Sequence, residues 1–368
     1  MAAAAVSGLS PYEPGMPPEA LEREYGISDA IKLASNENPF ELPTRVVAAM
    51  EKALHGVGRY PDGGGFELRG ALAKHLQVSP DQITLGNGSN DVLVLLAETF
   101  LTAESSAVYD QYSFVVYRLA VQACGAQALV ADSNSPEHLQ PLGHDLDAML
   151  AIVNASTRLV FIANPNNPTG TWVDPDALHG FLQALPGHVI AVVDEAYYEY
   201  ARGDDYPDTL TWLDEFPNLV IVRTFSKAYG LAGLRIGYGI SSAGIAELLN
   251  RVRQPFNVNS LAQAAAAAAL REQDWVAECR QKNLVNRTLL LDGLHELGLH
   301  ALPSKGNFLL VHIGPEAAQC NEYLLRNGVI VRPVANYGLP GYLRITIGSK
   351  NEMERLLGAL KAFCGTRS

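Results

Sequence analysis

Cysteine is scarce in this chain. Its four cysteines, Cys124, Cys279, Cys320 and Cys364, are scattered and form no CxxC pair. That leaves no disulfide framework and no zinc motif, so no metal site is expected. It fits a reducing, cytoplasmic compartment. Basic residues are also in deficit, 27 Lys and Arg against 39 Asp and Glu, for a net charge of -12. Nucleic acid needs a basic footprint and is not an expected partner, although local arginines can still hold a small anion. No uninterrupted apolar run approaches membrane-spanning length. The opening "MAAAAVSGLSPYEPG" has no basic n-region, and its apolar run is too short for a signal peptide. A soluble, intracellular protein without a membrane partner is expected.

What is present is a large core. Hydrophobic residues make up 48% of 368, which suggests about two domains. The stretch to about Pro18 reads as an irregular arm, and "PPEALEREYG" as a short helix. From about residue 80, "QITLGNG", "SSAVYD", "GAQALVAD", "RLVFIANP", "HVIAVVDEAY" and "NLVIVRTFSK" each read as a buried strand. Helical segments such as "SNDVLVLLAETFL" and "DPDALHGFLQAL" lie between some of them. This rhythm predicts an α/β fold, a mostly parallel sheet covered by helices. After about residue 245 comes a long alanine-rich helical region, then the strands "NFLLVHI", "GVIVRPV" and "YLRITIG" and a closing helix. That is a smaller α+β domain.

Three apolar strands end in chemically capable residues: "RLVFIA" in "NPNNPTG", "HVIAVV" in "DEAY", "NLVIVRTF" in "SK". They are spaced about 30 residues apart, one strand–helix–strand unit each. Parallel strands put their C-terminal ends on one edge, where open α/β sheets bind ligands. Asn167, Asp194 and Lys227 are therefore expected in one crevice. An amine, a carboxylate and an amide together suit pyridoxal phosphate. Its aldehyde bonds to a lysine amine. Its ring nitrogen stays protonated beside a buried carboxylate. Its ring oxygen accepts from Asn167 and Tyr197. Its phosphate needs N–H groups at a helix start, a hydroxyl and a guanidinium. Gly88, Ser89 and Asn90 of "LGNGSNDVL", with Ser89 or Asn90 as the N-cap, are candidates, as are Ser226 and Arg235. Taken alone, "GNG" is only a strand-to-helix turn and lacks the third glycine of a dinucleotide fingerprint.

Together "KLASNENP", "RYPDG", "LGNGSND", "NPNNPTG", "VVDEAY", "TFSKAYGLAGLRIGY", "GVIVRP" and "YLRITIG" resemble the fold-type I pyridoxal-phosphate aminotransferases. More narrowly they are similar to the branch acting on histidinol phosphate. The resemblance runs over nearly the whole chain. It implies a large domain over 36–245 with a mostly parallel seven-stranded sheet and a small domain over 246–368, to which an arm of residues 1–35 contributes. It implies that Lys227 bonds the cofactor and moves the substrate's α-proton, that Asp194 faces the pyridinium, and that Tyr112 stacks on the ring. Tyr60 would reach the cofactor phosphate of a partner subunit, making the unit a homodimer. Arg344 and Arg332 would hold the substrate's anionic group, and Tyr12 would close over it from a mobile arm. One departure is "NENPFELP", which stands where many relatives have a glycine-containing turn.

The implied reaction moves an amino group between L-histidinol phosphate and 2-oxoglutarate, giving glutamate. An aromatic aminotransferase, or a decarboxylase of the same fold acting on a phosphate-bearing substrate, remains an alternative. A cofactor-binding regulator and a dehydrogenase fit the charge and the lysine poorly.

Overall fold

The computed structural model describes residues 4–9, 15–203 and 205–365. Its strands in chain order are β1 (Ile31–Lys32), β2 (Ile83–Gly86), β3 (Ser106–Asp110), β4 (Gln127–Ala131), β5 (Thr157–Ala163), β6 (Ile190–Asp194) and β7 (Leu219–Thr224). They continue with β8 (Gly237–Ser241), β9 (His300–Ala301), β10 (Phe308–His312), β11 (Val329–Ile330), β12 (Arg332–Pro333) and β13 (Tyr342–Thr346). The main sheet has seven strands in the order β2-β8-β7-β6-β5-β3-β4. Only β8 runs against its neighbours within this sheet, antiparallel to both β2 and β7. The remaining pairs are parallel.

The central strands are apolar through most of their length because helices cover both faces. Side chains alternate between the faces. On β6 and β7, Val192, Val220 and Val222 face one core with Val92, Leu96 and Tyr117. Ala191, Val193, Leu219 and Ile221 face the other, with Leu178 and Phe181. The same alternation separates the polar residues that follow. Asp194 falls on the Tyr117 side, hydrogen-bonded to it. Glu195 turns to the opposite side and pairs there with Arg223 at 2.8 Å. Thr209 Oγ1 also donates to Glu195, at 2.6 Å. A buried ion pair thus ties the ends of β6 and β7 together beneath the ligand edge.

A second core is built on the antiparallel sheet β12-β13-β10-β9. Leu309, Val311 and Ile345 pack there against Leu290, Leu324, Met353 and Leu360 of three helices. Strand β1 pairs in parallel with β11, so residues 31–32 join this part of the fold.

Three local expectations differ from the structure. Residues Ala4–Ser7 form a helical turn, not irregular chain, because consecutive alanines are strong helix formers. The alanine-rich region is two helices, Ser260–Ala269 and Gln273–Glu296, interrupted at residues 270–272. "GVIVRPV" is split into β11 and β12, which pair with different strands. Among the described residues no helix is long and apolar enough to cross a membrane.

Candidate active site

A cavity of about 710 Å³ opens where β5, β6 and β7 end, and Asn167, Asp194, Lys227, Ser89, Ser226 and Arg235 all line it. The three strand ends therefore meet, and so do the groups suited to an anion. An adjoining recess of about 150 Å³ is lined by Lys227, Tyr197, Asn36, Asn167, Arg332 and Arg344.

Lys227 is partly buried, and its Nζ donates to Ser35 O at 3.1 Å. Burial, then the nearby Arg344 guanidinium, lowers its pKa to about 7, against the pull of Glu37 and Asp194. A substantial share of the amine is thus neutral near pH 7, about half of it at its pKa, which a nucleophile or proton carrier can use. Asp194 is buried, and burial raises its pKa to about 6. Two donors oppose that rise: Tyr117 Oη to Oδ2 at 2.8 Å and Ala196 N–H to Oδ1 at 3.2 Å. Burial pushes the Tyr197 phenol up to about 12, so it remains a proton donor. Its oxygen accepts from Asn36 Nδ2 at 2.9 Å, which leaves the phenolic proton free to point elsewhere.

The anion cradle is made by backbone. Gly88, at φ +83°, is the N-cap of the helix Ser89–Phe100 and makes no side-chain cap bond. This corrects the expectation that Ser89 or Asn90 is the cap: both are first-turn residues, whose N–H groups lack intrahelical acceptors. Glycine is required here because a left-handed backbone disfavours a Cβ. Arg235 precedes β8 in a left-handed conformation, φ +59°. Its Nη1 donates to Ser226 Oγ at 3.3 Å. A Cβ on Gly88 would strike Arg235 Nη2, and one on Gly237 would strike Ser89 N.

Arg344 donates to Asn167 Oδ1 and, at 2.8 Å, to Ala34 O. Its buried Nε has no hydrogen-bond partner among the described residues. Arg332 is also buried and lines the recess. The "NENPFELP" loop docks beside the lysine, with Asn38 Nδ2 donating to Ala228 O at 2.9 Å.

Other expected residues lie elsewhere. Tyr112 packs against Leu310, Val334 and Leu339, and Phe114, with Tyr197, lines both the cavity and the recess. Asp110 takes the Tyr112 N–H at 2.8 Å, fixing that turn. Tyr60 is 83% exposed and stacks on Phe256 at 4.7 Å, away from the cavity of its own chain. Tyr12 lies outside the described residues. Two residues escaped sequence reasoning. Asn36 carried a signal, a polar residue inside the quoted "KLASNENP". Tyr117 carried none, since an aromatic on a helix's apolar face reads as core.

An amine with a lowered pKa, a buried carboxylate and a basic set of anion-binding groups meet at one sheet edge, an arrangement suited to group transfer. The chain belongs to the aminotransferase class I and II family, whose profile matches residues 28–360. It is a fold-type I enzyme of a pyridoxal-phosphate-dependent class. It is 54% identical over 358 residues to histidinol-phosphate aminotransferase 2 of Pseudomonas fluorescens, covering 97% of this chain and 95% of the relative. It is 52% identical over 360 residues to histidinol-phosphate aminotransferase 2 of Methylococcus capsulatus, covering 98% and 97%. The crystal structure of the Sinorhizobium meliloti histidinol-phosphate aminotransferase, in complex with pyridoxal 5'-phosphate, superposes with a TM-score of 0.89. That match has 32% identity and covers 99% of this chain and 98% of the other.

The residues fit this cofactor. The glycine gap over Ser89 N, the Ser226–Arg235 pair, the buried Asp194 and the lowered Lys227 each suit one of its groups. Gly237→Ala tests the cradle. The methyl forces β8 away from Ser89, so stability should fall by about 1–3 kcal/mol and pyridoxal phosphate should bind more weakly. Denaturant unfolding with and without the cofactor measures both; unchanged binding would remove Gly237 from the cradle.

Proposed function

We propose that this enzyme transfers the amino group of L-histidinol phosphate to 2-oxoglutarate, yielding glutamate, in histidine biosynthesis. The observation that carries the reading is the recess beside Lys227 with two buried arginines, Arg332 and Arg344, in its wall. One pocket must serve a phosphate monoester and then a dicarboxylate. Two guanidiniums, each able to grip an oxyanion through paired N–H groups, suit both. The names of the relatives support the same substrate.

Pyridoxal phosphate, when bound, supplies a sink for the electrons released at the substrate's α-carbon. In this reading the chain does the rest. Lys227 Nζ takes the proton from the α-carbon and returns it to complete transfer. Asp194 holds the proton on the ring nitrogen. Tyr197 and Asn167 donate to the ring oxygen, and Phe114 covers the site. The N–H groups of Ser89 and Asn90, with Gly88 leaving them room, join Ser226 and Arg235 on the phosphate. Arg344 engages Asn167 Oδ1 and Ala34 O with two of its five N–H groups, which leaves others for substrate and leaves the Asn167 Nδ2 to donate to the ring oxygen. Tyr12 of the arm completes the closure.

The unit we propose is a cytoplasmic homodimer in which Tyr60 completes the partner's phosphate site. Leu54, Val57, Tyr60 and Phe66 lie exposed within one stretch of chain, and Tyr60 stacks on the exposed Phe256. Residues 36–245 form the large domain; 246–368, with the arm 1–35, form the small one.

Steady-state kinetics with 2-oxoglutarate as acceptor test the substrate. kcat/KM for histidinol phosphate should exceed that for phenylalanine by about 10–100-fold, the worth of charge-assisted hydrogen bonds to phosphate. Equal or reversed values would make this an aromatic aminotransferase. Release of carbon dioxide with no need for the keto acid would make it a decarboxylase.

A further inference from the structure

Tyr117 sits in the helix Val115–Ala123 with no solvent exposure. Its ring stacks on Phe161 of β5, centroids 4.8 Å apart and planes 9° apart. Phe114 packs edge-on at 5.9 Å. Phenylalanine would fill this aromatic slot as well, and without a polar atom to satisfy. The hydroxyl therefore needs its own explanation, and its geometry supplies one. It donates to Asp194 Oδ2 at 2.8 Å, across 77 residues of sequence.

Asp194 is the carboxylate at the cavity wall, and burial opposes its charge. A hydrogen bond to the ionised form favours that form. The phenol can give this bond at any working pH. Burial and the neighbouring Asp194 charge drive its own pKa well above 10.0, so it keeps its proton. With Ala196 N–H on Oδ1 and Tyr117 on Oδ2, one donor is fixed on each oxygen, and the carboxylate cannot rotate without losing one. Acceptor capacity remains on the cavity side, since a carboxylate offers about four acceptor positions.

We propose that Tyr117 is a positioning residue that keeps Asp194 ionised and aimed at the cofactor's ring nitrogen, from behind, without touching cofactor or substrate. The inference rests on the pyridoxal-phosphate reading of the cavity. It makes cofactor affinity and the chemical step depend on one buried hydroxyl.

Tyr117→Phe keeps the ring and its stack and removes only that hydroxyl. Fluorescence titration of the ligand-free protein with pyridoxal phosphate should show Kd raised about tenfold, the effect of one hydrogen bond to a charged group. Of the steady-state constants, kcat should fall by a similar factor while KM for the amino donor stays unchanged. In an Asp194→Asn background the same substitution should change Kd by less than about twofold, because its partner charge is gone. Phe161→Leu loosens the stack but retains the hydroxyl, so Kd should stay near the wild-type value. An unchanged Kd in Tyr117→Phe would overturn the inference. So would a tenfold loss that persists in the Asp194→Asn background, or an equal loss in Phe161→Leu. If the wild-type protein bound no pyridoxal phosphate, the cofactor reading itself would fail. Wild-type binding with an unaffected Tyr117→Phe would sink only the role of Tyr117.

Discussion

Lys227→Met is expected to abolish turnover, by about 10^4-fold or more, and yet to stabilise the ligand-free protein. Methionine keeps much of the side chain's bulk and removes the amine. Loss of activity follows because, among the described residues, the recess wall holds no other amine: its remaining cations are arginines, which do not deprotonate. The stability gain follows from linkage. The Lys227 pKa falls from an ordinary 10.5 to about 7 on folding. Between those values the unfolded chain holds a proton that the folded chain has released. Stability therefore rises with pH through that window, and the full cost of the buried amine stands below about pH 7. The advantage of Lys227→Met should be largest at neutral pH and below, and should shrink toward pH 10. Urea unfolding at several pH values reads this directly. Substantial turnover by the variant, or an advantage that grows with pH, would contradict it.

Asp194→Asn is expected to lower kcat by about 10^2–10^3-fold, the usual cost of removing one preorganised electrostatic contact in a closed site. The amide retains the shape and can still take the Tyr117 proton. It supplies no charge to hold a proton on the ring nitrogen, so pyridoxal phosphate should also bind more weakly. The linkage here has the opposite sign. The Asp194 pKa rises from 3.8 to about 6 on folding, so the folded state holds a proton that the unfolded state has lost. This contribution is fully present below 3.8 and is lost as pH rises through about 6, leaving the cost of a buried carboxylate above that. Ligand-free Asp194→Asn should therefore be the more stable protein at pH 8, with its advantage disappearing toward pH 4. Wild-type kcat would detach Asp194 from the ring nitrogen.

The two variants share a cause. Lys227 and Asp194 face one cavity, and burial pushes each toward its neutral form. The ligand-free fold carries that strain, and a ligand offering a bond to the amine and a cation to the carboxylate relieves it. Stability is spent at the site where chemistry needs an uncharged base and an anionic partner.

Much of this was legible in the chain because it is carried by periodicity. Buried parallel strands read as unbroken apolar runs, and the strand–helix–strand spacing brings Asn167, Asp194 and Lys227 to one edge. The alternation along β6 also separates Asp194 from Glu195, so that adjacent carboxylates serve opposite faces. What was not legible depends on contacts between distant segments. Tyr117 meets Asp194 only when the helix after β3 folds back on the sheet and sets the Tyr117 ring against Phe161 of β5. Asn36 reaches Tyr197 only because Thr346 of β13, which hydrogen-bonds its side chain and its backbone N–H, holds the loop in place. Local backbone geometry was equally hidden. "GNGSND" suggests a side-chain cap, but the positive φ of Gly88 moves the helix start one residue earlier. The Arg235 turn likewise depends on how tightly Gly237 passes over Ser89.

The most direct test is a single turnover without a keto acid. Purified protein is loaded with pyridoxal phosphate, its visible absorbance is recorded, and histidinol phosphate or phenylalanine is added alone in a stopped-flow cell. The expected result is an absorbance band from the lysine-bound cofactor, absent in Lys227→Met, that converts rapidly to the amine form of the cofactor with histidinol phosphate and slowly with phenylalanine. The contradicting result is no lysine-dependent band, or a band that phenylalanine converts and histidinol phosphate leaves unchanged.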